Sequence, residues 1–403
     1  MRSKKTITIC LYLLCLTVII LSVKFIITQK WSNIDEYAHM DYIEKLSDGK
    51  MPLMSDKICN EIYLNTLIHP EKSVVGLQLN REGLGLANYS YQAQHPPLYY
   101  SILTIPNLIM KGLRVPIFSR LIVLRIISYI LFVIGMFMCL PMFKLLNNLG
   151  FVIPKTYALG CVLFGLLIAT HERFGLGNNQ LSPLLINSAL IMTFRYYQMP
   201  KNKYLYTFIL LICLSLFSSM ANVFCLPILF LIMLNKYKKN LTIKNFTIVT
   251  LIMLVTSGLF VSWKLIFVPE QEMANFIRAF FEINIPANVL NLRLFVTIFL
   301  NDMFIQSFIN PKLNLAYAFY VLFSVNIIFC ILYFTTLLKS QKWLLVVLLS
   351  IVYFICTLWF LNTHIKGYTW VAFRHYQGLI PFFYVSCTGF ILLLHSKYKT
   401  KYN

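Results

Sequence analysis

Acidic residues are scarce. The 403-residue chain has 14 Asp and Glu against 35 Lys and Arg, and charged residues of both signs make up only 12% of it. A charged share about half that of ordinary soluble proteins excludes a water-soluble enzyme. A net charge of +21 would suggest a nucleic-acid binder in a polar chain. In one that is 59% hydrophobic, with a mean hydropathy of +0.71, the excess cations serve membrane topology first. Pairable cysteines are missing as well: nine of the ten lie in apolar runs, and only Cys59 sits in a long polar segment. With no CxxC pair, neither a disulfide framework nor a zinc knuckle is supported. Repeats, low-complexity linkers and Gly/Ser tethers are also lacking. Residues 1–403 therefore read as a single integral membrane domain, an all-α polytopic bundle of transmembrane helices.

What the chain has instead is long apolar runs. The first, 6–27, would be roughly 33 Å long as a helix. That exceeds a signal-peptide core, and no small-x-small cleavage site follows, so it reads as a retained first span. Further segments long enough to span occur at about 117–142, 156–172, 179–197, 244–268, 314–338, 343–362 and 377–395. A thinner pair at about 204–219 and 221–235 brings the count to about ten.

Ten spans place the N-terminus, 143–155, 198–203, 236–243, 339–342 and the tail 396–403 on one side. With Arg195 and Lys244 these segments hold seventeen Lys and Arg and no acid, whereas all fourteen acids fall at or near the opposite side. That asymmetry makes the basic side cytoplasmic, with both termini inside. The same parity keeps 98–112, which is short and carries Pro106, on the outer surface as an interfacial helix, and 294–310 likewise. Two extracytoplasmic features result, 30–116 and 269–313, and function is expected on that face.

After the first span comes Asp35-Glu36-x-x-His39. In a helix Asp35 and His39 stand one turn apart on one face, where a carboxylate can take a proton from an acceptor hydroxyl beside a lipid-borne substrate. The plainer alternative is a helix cap followed by a solvated acidic face. Sixty residues on, Gln94-His95-Pro96-Pro97 stiffens the backbone ahead of the surface helix, and this is either a pocket element or a helix-entry turn. Arg125 lies about eight residues into the second span, so it needs a partner or a wet cavity, and structural pairing and phosphate binding both meet that need. Arg120, nearer the surface, could simply snorkel. Arg374 and Tyr376 precede the last span, as phosphate and substrate contacts or as an interfacial belt. Asn178 and Asn179 either cap a helix or bind sugar hydroxyls. A divalent ion among Asp35, Glu36, His39 and His95 is conceivable, but no recognised ligand spacing supports it, so no metal site is assigned.

Several of these stretches together resemble the GT-C superfamily of polytopic glycosyltransferases, which includes protein O-mannosyltransferases, aminoarabinose transferases and related bacterial wall-polymer transferases. They are Asp35-Glu36-x-x-His39, Gly49-x-x-Pro52, Gln94-x-Pro96-Pro97-Leu98-Tyr99-Tyr100, Ser119-Arg120-Leu121, Leu124-Arg125 to Ser128, Asn178-Asn179-Gln180-Leu181 and Arg374-His375-Tyr376. The resemblance implies transfer of a sugar from a polyprenyl-phosphate carrier to a glycan, lipid or protein acceptor of the cell envelope. It implies Asp35 as general base and Glu36 as its acidic neighbour. Gln180 stands where such sequences commonly have Asp, and the turn near Asn222 lacks the Lys often found there.

The expected mechanism is inverting. Arg125, Arg374 and Arg120 meet the leaving phosphate, and His39, Gln94 and His95 shape the pocket. The competing classes are a transporter or flippase of lipid-linked precursors, and a polymerase or ligase of lipid-linked glycans. Acids are absent from the spans except at their outer ends, which disfavours proton-coupled transport.

Overall fold

The structure, a computed structural model, describes residues 2–28, 31, 36–62, 90–148, 155–171 and 175–218, with 251, 254, 255, 258, 259, 262, 263 and 265–267. Among these, helix dominates and there is no strand. The elements are α1 (Arg2–Thr28), α2 (Glu36–Ser47), a 3-10 turn (Tyr91–Gln94), α3 (Leu98–Gly112), α4 (Ile117–Phe137), α5 (Cys139–Asn148) and α6 (Lys155–His171). A second 3-10 turn (Asn178–Leu181), α7 (Ser182–Gln198) and α8 (Asn202–Ser218) follow. Two stretches, Lys5–Thr28 and Ile117–Leu145, are long and apolar enough to cross a membrane. The spans expected from 221 to 235 and beyond 313, and the external feature at 269–313, lie outside the described residues.

Residues 2–28 contain neither Gly nor Pro. The hydroxyls in α1 are bonded within the helix: Thr17 donates to the Leu13 carbonyl, Ser22 to Val18 and Thr28 to Lys24. Such back-bonding lets hydroxyls sit in an apolar helix without an unmet donor. The run expected at 117–142 is helical but broken at Met138, between α4 and α5. Pro141 explains the break, since it has no N–H to donate and its ring crowds the carbonyl four residues back.

Helix α3 has the bounds expected for the surface helix. It buries Tyr99, Tyr100, Leu103 and Asn107 and leaves Ile105, Leu108 and Ile109 exposed. Its end is a Schellman closure: Val115 N–H bonds the Met110 carbonyl and Arg114 N–H the Lys111 carbonyl, with Arg114 at φ 57°. Helix α2 ends the same way, Lys50 N–H on Lys45 and Gly49 N–H on Leu46, with Gly49 at φ 72°.

Helix α4 runs on into α5 beside α7 in the same direction. Asn187 Nδ2 donates to the Gly135 carbonyl at 2.7 Å, and Gln198 Nε2 to the Leu145 carbonyl at 2.9 Å. Helix α8 folds back along α7, bringing the Ser218 hydroxyl to the Asn178 carbonyl at 3.2 Å. Helix α6 starts beside α1, with Lys155 Nζ 5.4 Å from the Tyr12 ring centre. The chain that follows α6 reaches the end of the bundle where α2 begins, and Leu176 N–H bonds Glu36 there at 2.9 Å. The core at that end joins Trp31, α2, Tyr99, Tyr100, Leu121, Leu124, Leu176 and Leu181.

Candidate functional site at the α2 end of the bundle

Helix α2 is polar in sequence yet buried from Glu36 to Glu44. Burying acids is costly unless each meets a cation or several donors, and each of the three buried acids of α2 has such partners.

Glu36 takes two bonds from Arg125, Nε to Oε1 at 2.7 Å and Nη2 to Oε2 at 2.5 Å, and both side chains are fully excluded from solvent. Arg125 Nη1 also reaches the Ile26 carbonyl at 3.4 Å, near the end of α1. Arg125 thus has the partner that its depth in the bundle demands. Glu36 and Arg125 fasten α1, α2, α4 and Leu176 into one unit. Tyr99, one residue into that unit's neighbour α3, does the adjacent work: its hydroxyl lies 2.5 Å from Ser128 Oγ and accepts from Gly177 N–H at 3.1 Å.

Arg120 departs from its expected surface position. It is 2% exposed, bonded through Nη1 to Glu44 Oε1 at 2.5 Å and through Nη2 to both oxygens of Glu61 at 2.9 and 3.0 Å. Its side chain is buried, and the Glu44 and Glu61 carboxylates meet it instead of water. Asn107 Nδ2 donates to the same Glu44 oxygen at 2.9 Å. Lys111 binds Glu44 Oε2 at 3.2 Å and Asp48 at 2.6 Å. Burial works to lower the Lys111 ammonium, but the Asp48 and Glu44 carboxylates beside it prevail and raise it.

Asp41 is the third buried acid. It accepts Cys59 N–H at 2.7 Å on Oδ1, and the Ser90 hydroxyl and Lys45 (3.1 Å) on Oδ2. Lys45 also donates to the Lys57 carbonyl at 2.7 Å, and Ser90 N–H to the Asp56 carbonyl at 2.8 Å. One turn of α2 therefore clamps residues 56–59 to Ser90. Burial, followed by the Asp41 charge, pushes the Cys59 thiol up to about 12.

The two sequence patterns that lie sixty residues apart meet here. His39 Nδ1 lies 2.8 Å from the Tyr100 hydroxyl, and the Tyr42 hydroxyl donates to the His95 carbonyl at 3.2 Å. Tyr42 stacks on Tyr100 with ring centres 3.9 Å apart, and Tyr99 packs edge-on against Tyr100 at 5.4 Å. His39 is buried and His95 half-buried. Gln94 closes the 3-10 turn that Ser90 introduces.

Asn178 and Asn179 open the second 3-10 turn. Gly177 precedes that turn and Leu181 precedes α7, and neither makes a side-chain cap bond. Asn178 is 4% exposed, and its amide nitrogen has no bonding partner within the described residues. Gln180 donates to the Gly175 carbonyl at 2.6 Å.

Asp35, Arg374 and Tyr376 lie outside the described residues. Among the described residues no group of three or more His, Cys, Asp or Glu is placed to hold a metal ion. Sequence reasoning missed Glu44, Asn107, Glu61, Ser90 and Tyr100 as working residues. The signal for the acids was available: two arginines in an apolar run require carboxylates, and α2 supplies acids at helical spacing, 36, 41 and 44. No protein-family model matches the chain, and no characterised protein or solved structure matches it significantly.

Proposed function

We propose that the chain is an integral membrane glycosyltransferase that moves a sugar from a polyprenyl-phosphate carrier to a cell-envelope acceptor on the extracytoplasmic side. One observation supports this reading above others: the Glu36–His39 start of α2 and the turn before α3 are held together, through His39 with Tyr100 and Tyr42 with the His95 carbonyl. The start of α2 adjoins the end of a helix long and apolar enough to cross a membrane, since Arg125 binds both Glu36 and the Ile26 carbonyl. A lipid carrier and a water-borne acceptor need such a place, where apolar surface and polar groups adjoin.

Asp35 is the general base in this reading. It takes the proton of the acceptor hydroxyl as that oxygen bonds to the anomeric carbon, and the bond from that carbon to the carrier's phosphate oxygen breaks. Its electron pair leaves on the phosphate, and the sugar's configuration inverts. Glu36, next in sequence, is committed to Arg125 and fixes the start of α2 rather than moving protons. His39, Gln94 and His95 line the acceptor side, and Asn178 and Asn179 meet sugar hydroxyls. Arg374, with Tyr376 beside it, and Arg120 meet the charge that grows on the leaving phosphate. Both termini are cytoplasmic.

The test is transfer in proteoliposomes carrying polyprenyl phosphate with a labelled sugar. The expected result is release of free carrier phosphate by the native protein, and its loss in Asp35→Asn at unchanged yield and unchanged thermal unfolding. Full transfer by Asp35→Asn would remove the base, and movement of the labelled lipid between leaflets without cleavage would make the protein a transporter.

A further inference from the structure

Arg120 is met by more negative charge than it needs. Glu44, with a side chain only 3% exposed, already balances the guanidinium. Glu61 adds a second carboxylate, and its side chain is 53% exposed. Water reaches the Glu61 carboxylate, so Glu61 can leave at small cost, whereas the buried Arg120 stays where it is. Glu61 is therefore the exchangeable ligand and Glu44 the fixed one.

The bonding pattern marks Glu61 as a poor occupant of its place. Both of its oxygens fall on one nitrogen, Nη2, at 2.9 and 3.0 Å. The neighbouring donor on the same edge, Nε–H, is buried and has no hydrogen-bond partner among the described residues. A guanidinium edge is best filled by two oxygens side by side, one on Nε and one on Nη2. A phosphate can bridge those two donors and so satisfy the one that Glu61 leaves idle.

The geometry points to the Nε–Nη2 edge of Arg120 as a phosphate-binding site that Glu61 occupies when ligand is absent, so that ligand enters by displacing Glu61. This rests on the proposed function only in naming the phosphate as that of a lipid carrier; the shared chemistry is a phosphate monoanion or dianion. Glu44 and Asn107 hold the opposite, Nη1, side of the guanidinium throughout.

Equilibrium binding to the full-length protein in nanodiscs tests this, with two probes: polyprenyl phosphate in the bilayer and inorganic phosphate in solution. Glu61→Gln, which retains size and removes charge, is expected to bind the responsive probe about tenfold more tightly than the native protein. In that background Arg120→Lys, which keeps a cation for Glu44 but has no fork, is expected to erase the gain. A gain with the lipid alone identifies a headgroup site, and a gain with both probes identifies a general phosphate site; either supports the inference. Unchanged affinity for both probes in Glu61→Gln overturns it, as does a gain that survives Arg120→Lys. Neither probe carries a sugar, so a protein inactive in transfer that shows the gain retains this site and loses the transferase reading. An active transferase without the gain does the reverse.

Discussion

Glu36 and Arg125, 89 positions apart, form a two-point ion pair with both side chains shut off from solvent, 2.7 Å at Nε and 2.5 Å at Nη2. The pair joins the start of α2 to the middle of α4, and the same carboxylate holds Leu176 N–H. One side chain thus ties α2, α4 and the link that follows α6 at a single buried point.

Breaking one side of such a pair leaves a buried charge with no counter-ion, which costs about 3–5 kcal/mol. Glu36→Gln and Arg125→Met are each expected to lower stability by about that amount, read as thermal unfolding of the purified protein in detergent micelles. The double change Glu36→Leu with Arg125→Met removes both charges and should recover much of the loss, though it leaves Leu176 N–H without its acceptor at about 1–3 kcal/mol. Losses that simply add in the double variant would show that the two groups are not coupled.

Helix existence was legible in the sequence and side-chain partnership was not. The apolar runs from 6, 117, 156, 179 and 204 all appear as helices within a few residues, because composition and length alone determine them. The helix expected at 98–112 has the same bounds in the structure, since Pro97 and the Arg114 closure punctuate it locally. Arg120 shows the limit. Its fate depends on Glu44, 76 positions away, and no local periodicity carries that information. Glu36 shows it again: its carboxylate meets Arg125, 89 positions on, and nothing in the residues around it in the sequence names that partner.

Close helix contact makes a second prediction. A Cβ on Gly135 would lie 2.4 Å from the Leu184 backbone nitrogen and 2.8 Å from the Pro183 carbonyl carbon. Backbone cannot swing aside, so α4 and α7 would have to part, breaking the Asn187 bond to the Gly135 carbonyl. Gly135→Ala should cost about 1–3 kcal/mol. At Gly165 the added Cβ meets the end of one side chain, Met136, its methyl at 2.0 Å and its sulfur at 2.9 Å. That side chain can change rotamer, so Gly165→Ala should unfold at a temperature nearer the native value. Equal losses at the two sites would contradict the packing described.

The two Schellman closures differ in one residue type. Gly49 adopts its φ of 72° at no steric cost, whereas Arg114 holds φ 57° with a Cβ. For an L-residue the left-handed region costs about 1–2 kcal/mol. Arg114→Gly is expected to raise the unfolding temperature, and Gly49→Ala to lower it. Among the described residues no atom lies within 4 Å of a Cβ at Gly49, so the loss there reports backbone strain.

Cys59 gives a prediction read by pH. Burial, and then Asp41, raise its thiol from the ordinary 9.0 to about 12. Only the thiolate reacts with alkylating agents. At pH 8 a thiol of ordinary acidity is about a tenth ionised, and one near 12 about a ten-thousandth, a difference of about a thousandfold. In a variant that retains Cys59 as its single cysteine, iodoacetamide should react about a thousand times more slowly with the folded protein than with the same protein unfolded in detergent. The folded rate should climb about tenfold per pH unit. The same shift has a sign for stability: its contribution is present in full below 9.0 and is lost as the pH rises toward about 12, because the unfolded chain gives up the proton first. A folded rate at pH 8 equal to the unfolded rate would mean that Cys59 is not held against Asp41, and that α2 does not clamp residues 56–59 to Ser90.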